Sequence, residues 1–184
     1  MRRLLSLHPD SLGSPATHIE VQIARPHADS LVLSYTVTGQ MRDIRMPPVT
    51  AATRGDELWR HTCFEAFVRA SSGTAYYELN FAPSTQWAAY RFTDYRTGMC
   101  AAAEITAIQI ETQSGPDFYM LQASLALAQL SVFPRGCAWR LGLSAVIEET
   151  AGRKSYWALA HPPGRPDFHH AIGFSHELSP VLQP

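Results

Sequence analysis

The chain has 184 residues, of which 46% are hydrophobic and 17% charged. That balance excludes the low-hydrophobicity signature of disorder and fits one globular domain over residues 1–184. With 15 Lys and Arg against 16 Asp and Glu, a formal charge of -1 and no basic run, the footprint of a nucleic-acid or anionic-membrane binder is missing. Three cysteines, Cys63, Cys100 and Cys137, make neither a disulfide framework nor a paired zinc motif, and they fit a reducing compartment.

The first ten residues begin basic and apolar, but the apolar run stops after roughly four residues where a signal peptide needs about 7 to 15. The expectation is therefore a cytoplasmic protein, and no window approaches the roughly 18 apolar residues of a membrane helix. Residues 18–25 alternate Ile19, Val21 and Ile23 with polar neighbours, and residues 31–37 do the same with Leu31, Leu33, Tyr35 and Val37. These are two half-buried strands joined by a turn at 26–29. From 39 to 57 the pattern breaks at Met46-Pro47-Pro48 and Arg54-Gly55-Asp56, which predicts a long loop of the kind that often carries function.

Three strands centred on Phe64, Leu79 and Tyr90 follow, separated by short Ser/Gly and Pro-Ser-Thr turns that favour antiparallel hairpins. Further strands are expected at 104–112, 118–127 and 139–147, with Leu121, Leu125, Leu127, Trp139, Leu141 and Leu143 on core faces. Residues 125–130 also suit a short helix. The tail 160–184, rich in Pro and His, reads as an ordered loop wrapping the rest. The whole predicts an all-β antiparallel sandwich, jelly-roll or immunoglobulin-like, of about nine or ten strands.

Period-2 geometry puts Phe64, Ala66 and Val68 on one face of their strand, with Cys63, Glu65, Phe67 and Arg69 on the other. On the next strand Tyr77, Leu79 and Phe81 point to the core while Tyr76, Glu78 and Asn80 point away; on the third, Tyr90 and Phe92 are assigned to the core and Trp87 and Arg91 to the opposite side. Glu65, Glu78, Asn80, Trp87 and Arg91 then share one sheet face. Carboxylates, an amide, a guanidinium and an indole suit a polyhydroxylated ligand, because planar polar groups fix hydroxyls and an aromatic plate stacks on a sugar ring. The alternatives are a solvated face with Glu65 or Glu78 paired to Arg91, or a glycosidase-like pair of acids.

A second constellation, His161, Asp167, His169 and His170 with His176 beyond, places four of the eight histidines within sixteen residues. Histidine is the commonest metal ligand, but the spacing matches no zinc motif, and His and Asp also cap turns in such loops. No G-x-S-x-G elbow or Gly-rich phosphate loop occurs, and Cys63 reads as a buried thiol.

The run from Leu58-Trp59 to Phe67, followed by Tyr76-Tyr77-Glu78-Leu79-Asn80-Phe81-Ala82-Pro83-Ser84 and Trp87, resembles the DOMON-like superfamily, which includes the family 9 carbohydrate-binding modules. In appearance it is similar to a small bacterial DOMON-like group associated with UDP-N-acetylmuramate dehydrogenase, sharing Trp-x-x-Thr-Cys-Phe-Glu and a Pro-Asp-Phe-His-His ending. The resemblance covers about residues 57–99 and 155–174. It implies a β-sandwich that binds sugar or haem rather than one that catalyses, although sugar-binding and cytochrome relatives are largely exported.

The expected function is accordingly a non-enzymatic module for a carbohydrate or sugar-like metabolite, with no nucleic-acid or membrane partner. Glu65, Glu78, Asn80, Trp87, Arg91 and Trp59 form its face, and His161, Asp167, His169 and His170 its rim. A haem-binding protein, with Met41, Met46 or Met99 and His161 or His169 as axial candidates, is the alternative. A metal-dependent hydrolase built on the C-terminal histidines is the third reading. Neither haem nor calcium has a specific motif here.

Overall fold

Alternating side chains favour extended segments, and the described residues form twelve strands: β1 (Arg2–Leu7), β2 (Ala16–Ala24), β3 (Ser30–Gly39), β4 (Cys63–Ala70), β5 (Tyr76–Phe81), β6 (Trp87–Phe92), β7 (Cys100–Ala101), β8 (Gln109–Ser114), β9 (Phe118–Ala126), β10 (Trp139–Glu148), β11 (Lys154–Ala158) and β12 (His176–Leu178). The computed structural model describes residues 1–27, 29–131 and 137–179. Among them there is no α-helix, only four 3-10 turns, and no helix long and apolar enough to cross a membrane. Residue 28 of the expected 26–29 turn and the end of the tail, 180–184, lie outside the described residues.

Among the described residues there are twelve strands where about nine or ten are expected, because β1, β7, β11 and β12 carry too little alternation to stand out. The strand expected at 104–112 is β8, shifted to Gln109–Ser114. The ambiguous stretch after Leu125 finishes β9 and then makes the 3-10 turn Leu127–Gln129, not an α-helix.

Every strand pair is antiparallel, in the order β7-β6-β5-β4-β10-β11-β1-β2-β3-β9-β8, with β12 added to β10. β1 is the seam. Its Arg2–Leu5 portion pairs with β2 whereas Ser6 and Leu7 pair with β11, so one strand joins two halves of a curled sheet. The main core fills the curl. Ile19, Val21, Leu33, Tyr35 and Leu121 come from one half, and Phe64, Ala66, Leu79, Leu141 and Leu143 from the other. Tyr35 of β3 brings its ring to 5.1 Å from Phe64 of β4 and donates its hydroxyl to the Glu65 carbonyl oxygen at 2.7 Å.

β4, β5 and β6 are buried on both faces. One face meets the main core. The other forms a second apolar cluster of Phe67, Tyr76, Ala88, Tyr90, Phe92 and Phe174, against which Leu58, Trp59 and Phe168 pack. The 3-10 turn Leu58–Arg60 and the chain from 160 to 175, here called the strap, supply the cover. Close approach is built in where the strap crosses β10: a Cβ on Gly142 would lie 3.1 Å from the Gly173 carbonyl oxygen.

The long loop expected at 39–57 is pinned by Arg54. Its guanidinium lies 4.5 Å from the Trp87 ring centroid and donates to the carbonyl oxygens of Ala89, Ala102 and Ile105.

Candidate ligand-binding site

The register of β4, β5 and β6 divides the expected polar face in two. Glu65 stands opposite Asn80, and Asn80 opposite Ala88, while Glu78 stands opposite Tyr90. Trp87 is opposite Phe81 and Arg91 opposite Tyr77. Glu65, Glu78 and Asn80 are thus brought together, but Trp87 and Arg91 project from the other side of the sheet, and Tyr90 and Phe92 take their place. The expected side assignments on β6 are reversed.

Trp87 is only 4% exposed beneath Arg54. Arg91 donates to Glu104 at 3.3 Å, and Tyr77 donates to the same carboxylate oxygen at 2.6 Å. No solvated pairing of Glu65 or Glu78 with Arg91 is therefore formed. Trp59 lies over the acidic side, edge-on to Tyr90 at 5.4 Å between centroids.

Glu65, Glu78 and Asn80 are buried rather than solvent-facing, with exposures of 2%, 4% and 0%. Ser144 of β10 donates to Glu65 at 3.0 Å, and the Asn80 amide donates to Glu78 at 2.9 Å. Burial, reinforced by the Glu78 carboxyl nearby, pushes the Glu65 carboxyl well above its ordinary value. Burial does the same to Glu78, against the opposing pull of Asn80 and Arg96. A carboxyl out of water loses more hydration as an anion than as an acid, and both groups shift in that sense.

The strap meets this buried group through His169. Its Nδ1 is 2.8 Å from the Tyr76 hydroxyl, and its Nε2 is 3.7 Å from a Glu78 carboxylate oxygen. Burial, with the Arg96 guanidinium, pushes the imidazole down to about 4, so at neutral pH the Glu78 contact involves an uncharged ring and is no ion pair.

Above His169 the strap opens onto solvent. A cleft of about 490 Å³ is walled by Pro162, Pro163 and Pro166 on one side and by Tyr95 and Arg96 on the other, with Arg165, Asp167 and His170 completing it. Tyr95 and Arg96 sit in the turn between β6 and β7, where the Thr93 amide donates to Thr97. That turn depends on Gly98, at φ 67°, where an added Cβ would fall 2.3 Å from the Thr93 hydroxyl oxygen. Asp167 ties turn to strap: it accepts from the Tyr95 hydroxyl, from Arg96 at 2.8 Å and from the His169 amide at 3.1 Å. Burial pushes its carboxyl upward, but the bonds from Tyr95 and Arg96 outweigh this and hold it below its ordinary value. Tyr95 remains 50% exposed.

Of the expected rim, Asp167 and His170 line the cleft and His169 lies beneath it. His161 is elsewhere in the strap, 2.8 Å from the Ser6 carbonyl oxygen and edge-on to His8. The sequence reading missed Tyr95, Arg96 and Arg165. The signal for the first two is Asp94-Tyr95-Arg96-Thr97-Gly98, a turn sequence flanked by Asp and Gly with an aromatic and a guanidinium at its tip.

The alternative ligand sets are not assembled. Met41 and Met46 pack on the main core, whereas His169 contacts Phe67, Tyr76 and Phe92 on the opposite face of the sheet, so these cannot be the two axial ligands of one haem. Met99 is 48% exposed. Among the described residues no group of three or more His, Cys, Asp or Glu converges as a metal site. His161, Asp167, His169 and His170 are instead engaged as loop structure, the last accepting from the Ile172 amide at 3.3 Å.

No family model matches the chain, and no curated protein matches it. Among solved structures it is similar to a "putative carbohydrate-binding protein" from Bacteroides uniformis, with a TM-score of 0.69 and 14% identity, over 97% of this chain and 85% of that one. At that identity the likeness shows a shared fold.

Proposed function

We propose that the chain is a non-catalytic binding module for a carbohydrate or sugar-like metabolite, built as a single DOMON-like β-sandwich domain, with its ligand in the cleft between the Tyr95-Arg96 turn and the strap. The observation that carries this reading is the half-exposed Tyr95 ring, tied by its hydroxyl to a fixed Asp167–Arg96 pair, in an open cleft. An aromatic plate offers stacking to the C–H face of a sugar, and a pre-ordered polar pair beside it fixes orientation without a further ordering cost. The provisional carbohydrate-binding description of a protein sharing the fold supports the same class, by analogy of fold alone.

In this reading Glu78, Asn80, Glu65 and His169 support the floor, and Asp167 and His170 touch the ligand. Titration calorimetry against a panel of mono- and disaccharides should find at least one ligand. Tyr95→Ala should weaken it about tenfold, the loss expected from removing one stacking ring. A panel with no binder, or unchanged affinity in Tyr95→Ala, would reject the cleft as a sugar site.

A further inference from the structure

The charge and donor inventory of the cleft points to a narrower ligand class. Asp167 is the one acid lining it, and three donors, Tyr95, Arg96 and the His169 amide, already engage that carboxylate. Its charge is offset by Arg96 at 2.8 Å.

Arg165, from the strap, is exposed and also lines the cleft, and no hydrogen bond or ion pair engages its guanidinium among the described residues. His170 adds a second donor. Its Nδ1 accepts from the Ile172 amide, so in the neutral ring the proton sits on Nε2, and that atom donates in either protonation state. The side chains left free to act on a ligand are donors, with one uncompensated positive charge.

We propose that the cleft takes an anionic saccharide, a sugar carrying a carboxylate or a phosphate, with Arg165 and His170 Nε2–H reading the anionic group while Tyr95 carries the ring. This rests on the sugar-binding reading above. A planar guanidinium matches the oxygen pair of either anion, and charge-assisted bonds of this kind are roughly twice as strong as neutral ones. A neutral sugar would meet Arg165 only through hydroxyl oxygens, whose bonds lack the charge assistance an anion supplies.

The test compares glucose, glucuronate, glucose 6-phosphate and inorganic phosphate by calorimetry on the full chain, in about 50 mM and about 0.5 M NaCl. Glucuronate or glucose 6-phosphate should bind at least tenfold tighter than glucose. High salt should erode that advantage, Arg165→Gln should remove it, and Arg165→Lys should restore part of it. Because Arg165 is exposed and unpaired, these variants should keep the wild-type melting temperature.

Equal affinity for glucose and both anionic sugars would overturn the anionic inference and leave sugar binding standing. Inorganic phosphate binding as tightly as glucose 6-phosphate would overturn the saccharide part and leave a bare anion site. No binding by any of the three sugars, with none found in the wider panel, would overturn both.

Discussion

At the scale of single residues, the acids of β4 and β5 owe their surroundings to distant parts of the chain. Glu65, Glu78 and Asn80 do alternate with core residues, yet they face a second buried cluster, not water. The cause lies far along the chain, because the strap that seals them begins about ninety residues later, beyond the reach of a local pattern. Trp87 and Arg91 were misassigned for a related reason. With aromatics on both faces of β6, periodicity alone does not say which belongs to the main core.

The buried acids make a pH prediction. Unfolded, both carboxyls titrate near 4.5; folded, Glu65 is pushed up to about 8 and Glu78 to about 7. Between those limits the folded chain holds more protons than the unfolded one, so this contribution to stability is complete below about pH 4.5 and is lost as pH rises through the folded values. Glu65→Gln keeps an acceptor for Ser144 and removes the charge. Chemical denaturation should find it more stable than wild type by on the order of 2 kcal/mol at pH 9, with the difference shrinking towards zero near pH 4. A variant less stable than wild type at pH 9 would mean that the carboxylate is stabilised as an anion. His169, whose burial favours the neutral ring, contributes the opposite slope, lost as pH falls from 6.5 to about 4, and is common to both proteins.

At the scale of elements, legibility follows how each strand is buried. β2, β3 and β9 bury one face, and their alternation reads directly from the sequence. β1 exposes Arg2, Arg3 and Leu4, β7 has two residues and β12 three, so no periodicity can build up. The loop from 39 to 57 shows a different gap: its Pro and Gly punctuation predicts irregular backbone, but nothing local reveals that Arg54 reaches three carbonyls and the Trp87 ring. Arg54→Ala should therefore destabilise the protein by about 2 to 4 kcal/mol, because it strips partners from carbonyls at the core margin and a cation from an indole face. Denaturant midpoints would measure the loss, with a red shift of tryptophan emission if Trp87 becomes wetter. Arg54→Lys should recover only part of it, since an ammonium lacks the planar fork that spans several acceptors. An Arg54→Ala variant as stable as wild type would show that the loop is held by its other contacts.

At the scale of the whole molecule, the two halves of the sheet share one main core and one connecting strand. Tyr35 of β3 packs between Phe64 and Phe81 of the opposite half and bonds the Glu65 carbonyl, while β1 pairs with both halves. Neither half can bury its apolar face alone, which makes cooperative unfolding the expected behaviour. Far-UV circular dichroism, which samples every strand, and tryptophan fluorescence, reporting from Trp59, Trp87, Trp139 and Trp157 in the second half, should give one denaturant midpoint. Tyr35→Phe should lower both signals together by about 1 to 2 kcal/mol, the cost of leaving a buried carbonyl without its donor. Separate midpoints in the wild type, or a Tyr35→Phe effect confined to one probe, would mean that the halves fold independently and that β1 is a tether, not a shared strand.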